Sequence, residues 1–101
     1  MLGSEITLRV DPGEVGQNVL RRTVRAVCAP TTLPLDRVDD LLIICDELLA
    51  HDGWDRAFTL TALTDGVRVI VREMDAGPIV PALASSVVTD DGQLAITVLA
   101  R

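Results

Sequence analysis

Apolar residues recur along this chain with two periods, and the switches between them mark out the elements. Residues 5–10, EITLRV, alternate polar and apolar positions and include β-branched residues, which predicts a short strand. From Glu14 to about Ala29, Val15, Val19, Leu20, Val24, Val27 and Cys28 follow helical spacing as the apolar side, with Arg21, Arg22 and Arg25 on the other. Asp11 is placed to cap that helix and Pro12 to open its first turn. APTTLP ends it through Pro30 and Pro34. A second helix is expected from near Asp36, where Asp36 and Asp39 have capping-box spacing. Its buried stripe is Val38, Leu41, Leu42, Cys45, Leu48 and Leu49, with Asp40, Ile44, Glu47 and His51 on a neighbouring stripe. Gly53 suits a left-handed cap at its end.

Two strands follow, Arg56–Leu63 and Val67–Met74, joined through TDG, in which Asp65-Gly66 is a hairpin signal. Antiparallel pairing places Phe58, Leu60 and Ala62 on one inward face with Val67, Val69 and Val71. DAGPIVP ends the second strand, and residues 82–91 show no period and read as a loop. GQLAITVLA, after Asp91, is either a closing helix or a last strand: Ile96, Thr97 and Val98 favour strand, its position favours helix. This order predicts an α+β two-layer sandwich, with two or three helices packed on one face of a mixed or antiparallel sheet, in one domain spanning 1–101.

Composition narrows the function classes. The chain has 101 residues and is 49% hydrophobic, enough for a modest core. A net charge of −6, with one Trp, one Phe and no Tyr, argues against nucleic acid, which wants basic stripes or stacking aromatics. The same acidity disfavours an anionic membrane surface. The longest apolar core, LLIIC, is too short for a bilayer, and the first ten residues lack a signal-peptide pattern, so a cytoplasmic location is expected. Cys28 and Cys45 lie outside any CxxC or metal-ligand spacing and read as core thiols, with an interhelical disulfide as the other option.

The candidate chemistry starts at DELLAHDGW, where Glu47 and His51 stand four apart on one helix face. Such a pair serves as a catalytic remnant, as two ligands of a metal site with Asp52 or Asp55, or as a solvated helix end in which a cationic His51 complements the dipole. Structural zinc takes four ligands and this spacing supplies two, so no metal site is assigned. Asp75-Ala-Gly77 and Asp90-Asp91-Gly92 both read as turns on composition alone. The arginines of the first helix form a solvated face or a patch for an acidic partner. Trp54 is either an interface anchor or a plug at the end of the core.

Three stretches taken in order, LPLDRVDDLLIICDELLAH, VRVIVREMDAG and DDGQLAITVLA, resemble the histidine-kinase-like (GHKL) ATPase superfamily, and within it the bacterial anti-sigma-factor serine kinases. They look like the family's long helix ending in a Glu-x-x-x-Asn box, its central strand running into an Asp-x-Gly box, and its second glycine box opening a helix, and together they span Leu33 to Ala100. The resemblance implies that Glu47 occupies the position activating the group that attacks the γ-phosphate. His51 stands where Asn holds Mg²⁺, Asp75 where adenine is bound, with Gly77 beside it, and Gly92 in the second glycine box with Asp90 in place of its partner glycine. Imidazole is a poor substitute for an oxygen ligand of Mg²⁺, and carboxylates repel phosphate. Residues 76–100 contain no Lys, Arg or His to serve as lid cations. The resemblance therefore implies a degenerate, pseudokinase-like regulator acting by protein–protein binding in partner-switching control of transcription. Its partners would be a sigma factor or a STAS-type antagonist, dimerisation is common in the family so a homodimer is possible, ATP binding is weak or lost, and Mg²⁺ is disfavoured. The alternative is an active ATP- and Mg²⁺-dependent anti-sigma serine kinase. Family members usually continue into one more strand, so either a shortened sheet or an edge left for a partner to cover is expected.

Overall fold

The computed structural model describes residues 5–50, 56–72 and 79–100. Its elements follow in the order β1 (Glu5–Val10), α1 (Glu14–Cys28), α2 (Leu35–Ala50), β2 (Arg56–Leu63), β3 (Gly66–Arg72), α3 (Ile79–Leu83), β4 (Ser86–Asp90) and β5 (Gln93–Leu99). The strands form one sheet in the order β1-β2-β3-β5-β4, with every pairing antiparallel.

Strand alternation decides the layering. Phe58 stands opposite Val71, Leu60 opposite Val69 and Ala62 opposite Val67, and all six are buried. Leu94, Ile96 and Val98 of β5 extend the same inner face. Above it lie Leu20, Val24 and Val27 of α1 and Leu41, Ile44, Cys45 and Leu48 of α2, in one buried cluster. Each fully buried aliphatic or aromatic side chain is worth about 1.5–3 kcal/mol relative to exposure, so this shared face joins the two layers. The fold is the α+β sandwich that the pattern predicts. No helix among the described residues is long and apolar enough to cross a membrane.

Both helix starts differ from expectation. The N-cap of α1 is Gly13 (φ −89°, ψ −179°) with no side-chain cap, so neither Asp11 nor Pro12 takes its assigned place. The Asp11 backbone instead tucks under the first turn, where a methyl at Gly16 would collide with its carbonyl oxygen. This close approach sets the buried stripe as Gly16, Leu20, Val24, Val27 and Cys28, and leaves Val15 and Val19 exposed at 78% and 45%. Helix α2 opens at Leu35, with the Pro34 carbonyl accepting from the N–H groups of Arg37 and Val38 at 3.0 Å each. Asp36 thus lies inside the first turn, where it complements the helix dipole without capping. Ile44, expected beside the buried stripe, is fully buried, and Val38 is half-buried. The stripe is wide because α2 meets α1, α3 and β5 together.

The turns also depart from the pattern. Leu63 pairs with Gly66, so Thr64 and Asp65 make the β2–β3 turn and Gly66 begins β3. Gly66 has no positive φ; it is needed because a side chain there would strike the Val98 carbonyl of β5. Residues 82–91, expected as a loop, hold the end of α3 and all of β4. The stretch after Asp91 is a strand and not a helix. Asp91 (φ 53°) and Gly92 (φ 78°) are both left-handed, as a type I′ two-residue hairpin requires, and they connect β4 to β5. The final strand of the second predicted pair ends at Arg72, and its expected last residues lie outside the described ones.

One polar side chain fastens the open end of the sandwich. Arg37 Nε donates to the Leu99 carbonyl at 2.9 Å, and Nη1 donates to the Leu83 carbonyl at 2.9 Å and to Asp40 at 2.7 Å. Nη2 donates to Ser85 Oγ at 3.1 Å, and that hydroxyl oxygen accepts the Leu99 N–H at 2.9 Å. Arg37 thereby ties α2 to the α3–β4 junction and to the end of β5.

Candidate functional site

Of the residues singled out by the resemblance, Glu47, Asp90 and Gly92 lie toward one end of the sheet. Glu47 lies in the last turn of α2, which ends at Ala50, and β2 starts at Arg56. Arg72, the last residue of β3, pairs with Gln93, the first of β5, so the Asp91–Gly92 turn is at that same end. His51, Asp75 and Gly77 lie outside the described residues, as do Asp52, Gly53, Trp54 and Asp55.

Glu47 is exposed on α2, while its neighbour Asp46 turns toward α1. Arg21 Nε donates to Asp46 Oδ1 at 3.3 Å, and Arg21 Nη2 pairs with Oδ2. The hydrogen bond to Asp46 and then its charge raise the Arg21 pKa above its ordinary value. The acidic end of α2 is thus divided between one carboxylate held by α1 and one facing solvent.

Arg56 lies outside the apolar pattern that marks β2 in the sequence. It is only 8% exposed and sits opposite Val10, in phase with Phe58 on the inner face. Its Nη1 lies 3.5 Å from the Arg72 carbonyl. The period-2 alternation that placed Phe58, Leu60 and Ala62 inward was the available signal.

The phosphate-binding arrangement implied for Gly92 does not fit the residues present. Phosphate binding at a glycine box uses free N–H groups at a helix N-terminus. Here the chain continues as β5, a central strand whose backbone pairs with β3 on one side and β4 on the other. A Cβ at Gly92 would meet nothing within 4 Å, so the glycine serves its positive φ and not a close approach. Asp90 and Asp91 precede it and oppose an anion. Among the described residues no three His, Cys, Asp or Glu side chains gather as metal ligands.

Three surface clefts are lined by neither Glu47 nor Gly92 themselves, although the third reaches Arg72 and Gln93 at the Gly92 end of the sheet. One of about 370 Å³ lies where α1 passes to α2, between Arg25, Cys28, Leu33, Val38 and Asp39. One of about 390 Å³ lies between β1 and the first turns of α1, and one of about 410 Å³ on the helix-free face of the sheet around Thr7, Thr59 and Ile70. The cysteines are free and buried, as core thiols. Burial pushes the Cys28 thiol up to about 11 and raises that of Cys45 further, with Asp46 and Cys28 adding to the effect on Cys45. Neither is a thiolate nucleophile at neutral pH.

No family model matches the chain, and no curated protein matches it.

Proposed function

We propose that this chain is a degenerate regulator of the histidine-kinase-like ATPase type, working in the cytoplasm by binding protein partners and not by transferring phosphate. The observation that carries the reading is the β4–β5 turn: the glycine of the third motif closes a hairpin, and the backbone after it is committed to strand pairing. With Asp90 and Asp91 beside it, the described residues of the β4–β5 turn supply no helix N-terminus to cradle a triphosphate. Glu47 then stands as a solvent-facing acid rather than a base poised over a substrate. The resemblance supplies the partner class, a sigma factor or a STAS-type antagonist.

The helical face supports protein contact. Ile43 is 45% exposed on α2, between Asp39 and Glu47 one turn to either side. An apolar side chain ringed by charges suits the desolvated centre of an interface. The reading is tested by mixing the purified chain with candidate sigma factors and STAS-fold proteins and measuring binding calorimetrically. The expected result is a stoichiometric complex that is indifferent to ATP and Mg²⁺ and to Glu47→Ala, and is weakened by Ile43→Asp. Incorporation of labelled phosphate into a partner serine, abolished by Glu47→Ala, would establish the kinase reading instead.

A further inference from the structure

On the helix-free face of the sheet, the outward side chains of the five strands fall in register as rows across the strands. The middle row is Thr7, Thr59, Ile70, Ala95 and Val88, one residue from each strand. Val88 is 55% exposed, and Thr59, Ile70 and Ala95 are half-buried. The Thr7 and Thr59 hydroxyls hydrogen-bond each other at 3.1 Å, which lowers the cost of drying this row. A cleft of about 410 Å³ lies on it, reaching from Thr7 through Ile70 to Arg72.

The rows on either side are polar. Arg68 stands between Thr61 and Thr97 on one side of Ile70, and Arg72 stands opposite Gln93 on the other. Both arginines are exposed, and neither makes an ion pair among the described residues. Glu5 and Ser86 end the Arg68 row, opposite Thr61 and Thr97. Beyond Arg72, Arg9 lies at the β1 end and Asp90 at the β4 end.

The dimensions of the array select its occupant. Neighbouring strands lie about 4.8 Å apart, so the row is about 19 Å long, the length of about 13 residues of α-helix. Arg68 and Arg72, four residues apart on β3, are separated along the strand by about 13 Å, just over the width of about 10–12 Å of a helix with its side chains. The apolar row is one side chain wide. A second sheet laid on this face would bury both guanidiniums, whereas a single helix leaves them at its flanks, where carboxylates pair with them. We infer that this face docks an amphipathic α-helix of a partner protein, with its apolar stripe along the Thr7–Val88 row and acidic residues on both flanks against Arg68 and Arg72. Glu5 and Asp90, at diagonally opposite corners, confine those acidic residues to the middle turns of the helix. The inference stands apart from the functional reading above, since it uses neither Glu47 nor the Ile43 surface.

The probe is a capped synthetic peptide of that length, with Leu and Ala on one helical stripe and Glu on both flanks, titrated at low salt into the ¹⁵N-labelled full chain. Saturable shifts are expected at the amides of Thr59, Ile70 and Ala95, with a Kd in the micromolar range. The same peptide with Lys in place of Glu should bind at least tenfold more weakly. Arg68→Glu and Arg72→Glu should each raise the Kd for the Glu peptide by about tenfold, and the double variant should prefer the Lys peptide. Circular dichroism checks the fold of each variant, and the two peptides compared on the wild type keep the test decisive if a variant fails to fold. No saturable shift into the millimolar range, shifts confined to the α1–α2 face, or equal binding of the two peptides would overturn the inference.

Discussion

The two buried thiols make the alkaline stability of this protein a direct readout of its helix packing. Its nine basic residues are all arginine and it has no tyrosine, so the cysteines are the only side chains that titrate between pH 9 and 11. Both thiols have folded-state pKa values raised above the ordinary 9.0 by burial. The fold therefore retains protons that the unfolded chain releases, and stability falls as pH rises through 9. Cys28, raised to about 11, contributes a loss between pH 9 and 11 that then levels off. Cys45 stays protonated throughout that window. At about 1.4 kcal/mol per pH unit for each thiol, the two together should remove about 3 kcal/mol by pH 10. That is a large share of the roughly 5–15 kcal/mol typical of a small domain. Urea unfolding in the presence of a reductant, repeated from pH 7 to 11, measures the curve. Cys28→Ala/Cys45→Ala should be less stable at pH 7 but flat to pH 10. A wild-type curve flat to pH 10, or a decline equally steep in the double variant, would refute the burial of these thiols between α1, α2 and the sheet.

Two further outcomes follow from single contacts. Arg37→Ala removes donors to Leu99, Leu83, Asp40 and Ser85 and should cost about 2–4 kcal/mol in chemical denaturation, with Arg37→Lys recovering only part, because an ammonium cannot span the same acceptors; a loss below about 1 kcal/mol would remove Arg37 as the clasp of that end. Gly66→Ala should cost about 1–3 kcal/mol through collision with the Val98 carbonyl, whereas Gly13→Ala, where a methyl meets nothing within 4 Å, should cost only the loss of an N-cap glycine, about 0.5 kcal/mol; a Gly66→Ala cost no larger than that would contradict the β3–β5 approach.

The legible parts of the fold were those where one period served one buried face. The β2–β3 face could be read directly because Phe58, Leu60 and Ala62 alternate cleanly with polar residues and their partners do the same. Strand β4 could not, because within Ser86–Asp90 only Val87 packs against the core, leaving no alternation to detect. The start of α1 depended on a tertiary contact, Gly16 against the Asp11 backbone, to which periodicity is blind; so Val15 and Val19 were placed on the apolar side and Gly16 was not. The two Asp-Gly pairs exchanged roles. Asp65-Gly66 looked like the tight turn, but its glycine makes room for β5, while Asp91-Gly92, matched to a phosphate-binding box, is the left-handed turn. Both kinds of site select glycine, and only the β-branched run Ile96-Thr97-Val98 distinguished a following strand from a helix. For the candidate site, the sequence and topology together bring Glu47 and Gly92 to one end of the sheet, and the left-handed backbone at Gly92 forms a hairpin turn where the resemblance implies a helix start.

The central claim is that this end of the sheet does not hold a triphosphate. A titration of ¹⁵N-labelled protein with ATP, with and without Mg²⁺, followed at the amides of Glu47, Arg72 and Gly92, addresses it most directly. The account predicts no saturable shift at any of the three into the millimolar range. Saturable shifts confined to those amides, and strengthened by Mg²⁺, would contradict it and place a working nucleotide site where the hairpin geometry argues there is none.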